Sequence, residues 1–92
     1  MRLVLLGDAD DVRGFALAGV EGRVCHDRGT AESALAQIAA PGAEVGLVLI
    51  SATVAGLASR ALERLGRQEG SPAVVILPEA DSPHGRAEGS AI

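Results

Sequence analysis

Asp8, Asp10 and Asp11 put three carboxylates within four residues, the densest group of chemically capable side chains in the chain. Such a cluster could hold a divalent cation. It could equally start a helix: Asp8 can accept a hydrogen bond from the N–H three residues on, and aspartates in the first turn favour the positive end of the helix dipole. Capping and dipole compensation account for all three carboxylates. Cys25 and His26 are the next candidates, as nucleophile and base, but neighbours in a strand point to opposite faces and cannot form such a pair. Cys25 reads as a small core residue. Cys25, His26 and His84 lack the paired spacing of a structural zinc site. A dinucleotide would need a G-x-G-x-x-G turn, yet Gly7 is followed by Asp8-Ala9-Asp10-Asp11, whose carboxylates would repel a pyrophosphate. A phosphate-binding Gly-Lys-Ser/Thr is also missing, so the residues imply no catalytic set, no metal site and no cofactor.

The elements that would position these residues alternate. Arg2 to Leu6 is a short apolar run closed by Gly7, as expected of a strand buried on both faces of a parallel sheet. A helix then runs to about Ala18, with Val12, Phe15 and Ala16 inward, Leu17 off that stripe and Gly19 as the C-terminal cap. Phe15 is the sole aromatic residue. Gly14 falls mid-helix at a cost of about 1 kcal/mol against alanine, which a close backbone approach would explain. Gly22 to Asp27 is polar enough to be an edge strand. Ala31, Ala34, Leu35, Ile38 and Ala39 form one helical stripe, ended by Pro41 and Gly42. Val45 to Ile50 is the most apolar run and belongs mid-sheet. Val54, Leu57, Ala58, Ala61, Leu62 and Leu65 predict a single third helix, with Arg60, Glu63, Arg64 and Arg67 pointing elsewhere. Gly70-Ser71-Pro72 breaks it, and Ala73 to Leu77 is a fourth apolar strand stopped by Pro78. The fold expected is α/β, a small four-stranded parallel sheet with alternating helices on both faces, Rossmann-like or receiver-like. Residues 1–78 form this domain. Residues 79–92, without apolar periodicity, read as a flexible C-terminal tail.

Composition removes several function classes. Of 92 residues, 12 are acidic and eight are Arg or Lys, all eight being Arg, for a formal charge of −4. Arginines scattered singly give no basic stripe to follow a phosphate backbone, which argues against nucleic acid. The apolar runs fall far short of the roughly 20 residues that cross a bilayer, and the N-terminus lacks the pattern of a secretory signal. No direct membrane insertion is expected, and a cytoplasmic location follows. One cysteine permits no internal disulfide, in keeping with a reducing compartment. A small chain with one Phe and no Tyr or Trp has little material for a deep pocket, and suits an interaction module better than an enzyme.

Two families resemble the chain. The aspartates after the first strand look like the magnesium-binding cluster of response-regulator receiver domains. Such a domain also needs a phospho-accepting Asp after strand three and a Lys further on, whereas this chain has Ser51 and no Lys. A receiver-like regulatory domain without phosphotransfer is therefore the alternative reading. The closer resemblance is to the F subunit of the V-type and archaeal A-type rotary ATPases (ATP synthases). Gly7-Asp8 followed by Gly14-Phe15-Ala16-Leu17-Ala18-Gly19-Val20 looks like that family's opening motif. Val45 to Ile50 resembles its third strand, and Pro72 to Pro78 its fourth. The resemblance covers about residues 1–78. It implies a non-catalytic component of the central stalk, carried on the coiled-coil D subunit of the rotor with the catalytic ring as a second partner, in a complex that couples ATP turnover to proton or sodium movement. The family's C-terminal helix is missing from the pattern after Pro78. Asp10, Asp11 and Arg13, near the first loop, are the candidate partner-binding rim, and they serve equally as a solvated helix start. Calorimetric titration with ATP and magnesium is expected to be flat, and acetyl phosphate to leave the aspartates unlabelled. Micromolar binding or a labelled aspartate would restore the receiver reading.

Overall fold

A computed structural model describes residues 2–78; the 79–92 tail, His84 and the question of a C-terminal helix lie outside the described residues. The element order is β1 (Arg2–Gly7), α1 (Ala9–Ala16), β2 (Glu21–Val24), α2 (Arg28–Ala39), β3 (Val45–Ser51), α3 (Ala52–Leu57), α4 (Ser59–Arg67) and β4 (Ala73–Leu77). All pairings are parallel, and the strand order is β2-β1-β3-β4. The expected α/β architecture is therefore present, with β1 and β3 as the inner strands.

Cross-strand register sorts the side chains between the two faces. Val4, Val48 and Val74 are aligned, as are Leu6, Ile50 and Ile76, on the face packed by α2, α3 and α4. This is the main core, joined by Ala31, Leu35, Ile38, Val54, Ala58 and Leu65. Most of these side chains are Val, Leu, Ile and Ala, so burial is spread over many modest contributions of about 1.5 to 3 kcal/mol for each large one. The opposite face carries Leu5, Leu49 and Val75 in register, and α1 lies over it, packed on β1 and β2. Leu5 is fully buried there, but none of the eight residues of α1 is. Phe15 and Val12 are half-buried and Ala16 is exposed, which corrects the expectation of an inward Ala16. With so short a helix over two strands, one side of each residue stays open.

Close approach explains one glycine and chirality another. A Cβ on Gly22 would stand 2.8 Å from Val12 Cγ1, so α1 can settle on β2 only where no side chain intervenes. Gly19, at φ +84, reverses the chain after α1 in a conformation costly for other residues. Its N–H donates to the Ala16 carbonyl at 2.9 Å, and that of Val20 donates to the Phe15 carbonyl at 3.1 Å. The helix thus ends two residues before the expected Ala18.

Three further expectations change. The edge strand is Glu21–Val24, not Gly22–Asp27, because Asp27 is committed to starting α2. The third helix is two helices, divided at Ala58, whose φ −129 and ψ 41 leave the helical region. Ala58 itself is buried, and its N–H still donates to the Val54 carbonyl at 3.2 Å. The apolar stripe continues in phase across the break, which is why periodicity does not reveal it. Finally, β4 is an edge strand, with Val75 45% and Ile76 54% exposed on opposite faces, although its sequence reads as a buried run.

Unfolding in urea should separate the two faces. Leu6→Ala is expected to cost about 3 kcal/mol, whereas Phe15→Ala should cost about 2 kcal/mol, less than a fully buried aromatic. Gly22→Ala should destabilise by about 1 to 3 kcal/mol through overpacking, and adding Val12→Ala should recover part of that loss. Equal costs for Leu6→Ala and Phe15→Ala would show that α1 is packed as deeply as the main core.

Candidate functional site

Open parallel sheets bind ligands beyond the carboxyl ends of their strands, where the βα loops gather. In this chain those loops contribute Asp8, Asp27 and Ser51, and each begins a helix. Asp8 accepts from the Asp11 N–H at 2.8 Å, while its own N–H donates to Asp11 Oδ2 at 3.4 Å, a reciprocal cap on α1. Asp27 Oδ1 accepts from the Thr30 N–H at 2.8 Å, and Thr30 Oγ1 accepts from the N–H groups of His26 and Asp27 at 3.0 and 3.1 Å. Ser51 Oγ accepts from the Val54 N–H at 3.2 Å in a buried setting. The polar groups best placed to meet a ligand are thus turned onto the backbone.

Electrostatics follow from the same bonds. The Thr30 backbone N–H, followed by its hydroxyl, holds the Asp27 carboxyl below its ordinary value of 3.8. Burial pushes the Cys25 thiol up, and the Cys25 N–H donates to the Gly7 carbonyl at 2.8 Å. A thiol protonated in this way is a poor nucleophile. His26 is exposed, with Nδ1 3.4 Å from Asp27 Oδ2. Among the described residues no group of three or more His, Cys, Asp or Glu side chains could hold a metal ion.

The three rim candidates separate in the structure. Asp11 belongs to the α1 cap. Asp10 and Arg13 form an exposed ion pair at 3.5 Å, one turn apart on the helix. All three lie on α1. Two shallow hollows occur elsewhere. One, of about 210 Å³, lies between the start of α2 and the α3–α4 break, beside Arg28, Glu32 and Arg60. The other, of about 340 Å³, lies below the amino ends of β3 and β4, beside Ile38, Glu44 and Pro72. Arg28 is already bound to Glu32 at 3.2 Å. The Asp27–Thr30 box falls inside the stretch that composition assigns to the second strand and its exit, which hides it. A signal for it exists all the same, an Asp three residues before a Thr at the head of an apolar stripe.

Fold and site together define a small parallel α/β domain whose βα loops close the first turns of its helices. The family model of the ATP synthase (F/14-kDa) subunit matches residues 3–92. The chain belongs to that family. A comparison with curated proteins finds no match. No described helix is long and apolar enough to cross a membrane.

Acid should reveal the Asp27 cap. A carboxylate with a depressed folded pKa stabilises fully above its ordinary value, and the contribution is lost as pH falls through the folded one. Asp27→Asn should keep the cap but flatten the decline in melting temperature below about pH 4. Ser51→Ala should cost about 1 kcal/mol at every pH. An unchanged acid profile in Asp27→Asn would show that the cap is not the titrating element.

Proposed function

We propose that the chain is a non-catalytic component of the central stalk of a V/A-type rotary ATPase, docked on the coiled-coil D subunit of the rotor. It supports the coupling of ATP turnover to proton or sodium transport. The observation that carries this reading is the family match over residues 3–92. The consumption of Asp8, Asp27 and Ser51 as helix caps supports it, since the customary ligand edge of the fold has little left with which to bind or react. The chain contributes a rigid surface, and the partners act upon it. It sits in the cytoplasm, peripheral to the membrane through the complex.

Asp10, Asp11 and Arg13 form part of the polar rim of that contact, where rim charges adjust association rate more than affinity. The catalytic ring is the second partner in this reading. The receiver-like alternative is weakened by Ser51, which stands where a phospho-acceptor would and serves as the α3 cap.

Co-expression with the coiled-coil rotor partner followed by size exclusion tests the proposal, on the full chain and on one ended at Glu79. Co-elution of both is expected. Failure of both would overturn the stalk assignment, and loss confined to the shorter chain would place the contact in residues 80–92. Asp10→Ala together with Arg13→Ala should lower the association rate by about two- to tenfold at low salt, with less effect at high salt.

A further inference from the structure

Ion pairing divides the arginines of the described chain into two sets. Arg2 and Arg23 lie against Glu21, Arg13 against Asp10 and Arg28 against Glu32. Arg60, Arg64 and Arg67 are exposed, and among the described residues none of the three has an ion pair or a side-chain hydrogen bond. All three stand on α4. Spaced at i, i+4 and i+7, they fall within an arc of about 60° and span about 10 Å of the helix. Leu65 is buried and Ala61 and Leu62 are half-buried on the other side of α4, so the arginines form its outer face.

The helix itself accounts for two of these charges at most. Arg64 and Arg67 lie in the last turn, where cations favour the negative end of the dipole. Arg60 lies in the first turn, where the dipole opposes it. Like charges three and four residues apart also repel one another. Glu63 is one turn from both Arg60 and Arg67 and pairs with neither, whereas Asp10 with Arg13 and Arg28 with Glu32 do pair at equivalent spacings. Arg60 further lines the hollow of about 210 Å³ beside Arg28, so the basic face continues from α4 towards α2.

We propose that the outer face of α4 docks an acidic segment of another protein, one that sets three or more carboxylates along about 10 Å. Guanidinium forks match planar carboxylates and keep their charge throughout the physiological range. The rest of the chain sets the class of anion. Without these three arginines it has 12 acidic residues against five arginines, a balance of −7. Nucleic acid or an anionic bilayer would meet that whole field, whereas a compact acidic segment meets the stripe, whose length is close to the Debye length of about 10 Å at 0.1 M salt. A second copy is a poor source of the carboxylates. Asp8, Asp11 and Asp27 cap helices and Asp10, Glu21 and Glu32 are ion-paired, which leaves Glu44 and Glu69 beyond α4 among the described residues. Residues 79–92 hold Glu79, Asp81 and Glu88 together with Arg86, a smaller net charge than that of the stripe. The surface lies across the sheet from α1 and is additional to the contact proposed there.

The test follows amide signals of the isotope-labelled full chain during titration with a synthetic helical peptide carrying glutamates at i, i+4 and i+7, and with its glutamine counterpart. The glutamate peptide should shift the amides of α4 and bind about tenfold or more tightly than the glutamine peptide. Raising salt from about 50 to about 300 mM should weaken it about fivefold or more. Arg60→Gln, Arg64→Gln and Arg67→Gln together should weaken it about tenfold or more without lowering the melting temperature, since repulsion along the helix is relieved. Arg2→Gln with Arg23→Gln, which removes paired arginines, should leave it within about twofold. Equal losses from the two sets would show attraction to overall charge and overturn the proposal, as would an absence of shifts on α4 at millimolar peptide. Tighter binding of short duplex DNA or of phosphatidylserine vesicles through the same arginines would make the anion a phosphate and overturn the acidic protein. A gain of about tenfold on Glu79→Gln, Asp81→Asn and Glu88→Gln together would make residues 79–92 the occupant. The probe contains no rotor sequence, so its result stands apart from the stalk assignment.

Discussion

A parallel sheet needs cover above and below, because its crossover connections leave apolar side chains on both faces. Everything else in this fold depends on how a short chain with one aromatic residue meets that demand. Three helices and most of the Val, Leu and Ile side chains are committed to one face, where Val4, Leu6, Val48 and Ile50 are buried to near completion. The other face has one eight-residue helix, held close by Gly22 and containing no buried residue of its own. The domain is consequently lopsided, with a dense side that accounts for its stability and a thin side that remains partly open.

The same economy governs its polar residues. At the carboxyl edge of the sheet an α/β enzyme would direct side chains outward, to a phosphate, a metal or a reacting carbonyl. Here Asp8 and Ser51 close the first turns of α1 and α3, and Asp27 closes that of α2 with Thr30. Short helices gain proportionally more from such caps, since a large share of their backbone donors would otherwise lack partners. These side chains serve local order in a member of the family of the ATP synthase (F/14-kDa) subunit.

Much of this was legible from residue order. Continuous apolar runs marked β1, β3 and β4, one clean stripe marked α2, and Asp8 announced α1, because each signal depends on neighbours along the chain. The features that escaped depend on neighbours in space. The break at Ala58 keeps the stripe in phase, so no periodicity could register it. The exposure of Val75 and Ile76 follows from β4 being the last strand on its side, a fact of topology that Ala73 to Leu77 does not encode. Asp10, Asp11 and Arg13 were identifiable as a charged helix start.

The outer edge of β4 has a consequence for the chain before it is assembled. Between Pro72 and Pro78 it has no charge, no proline and no bulge, the devices by which edge strands ordinarily discourage further pairing. Its backbone N–H and C=O groups on that side form a template for any extended apolar segment, including one from an unfolded copy of itself. Among the described residues nothing pairs with that side of β4, so the unassembled chain offers a template five residues long, bounded by Pro72 and Pro78.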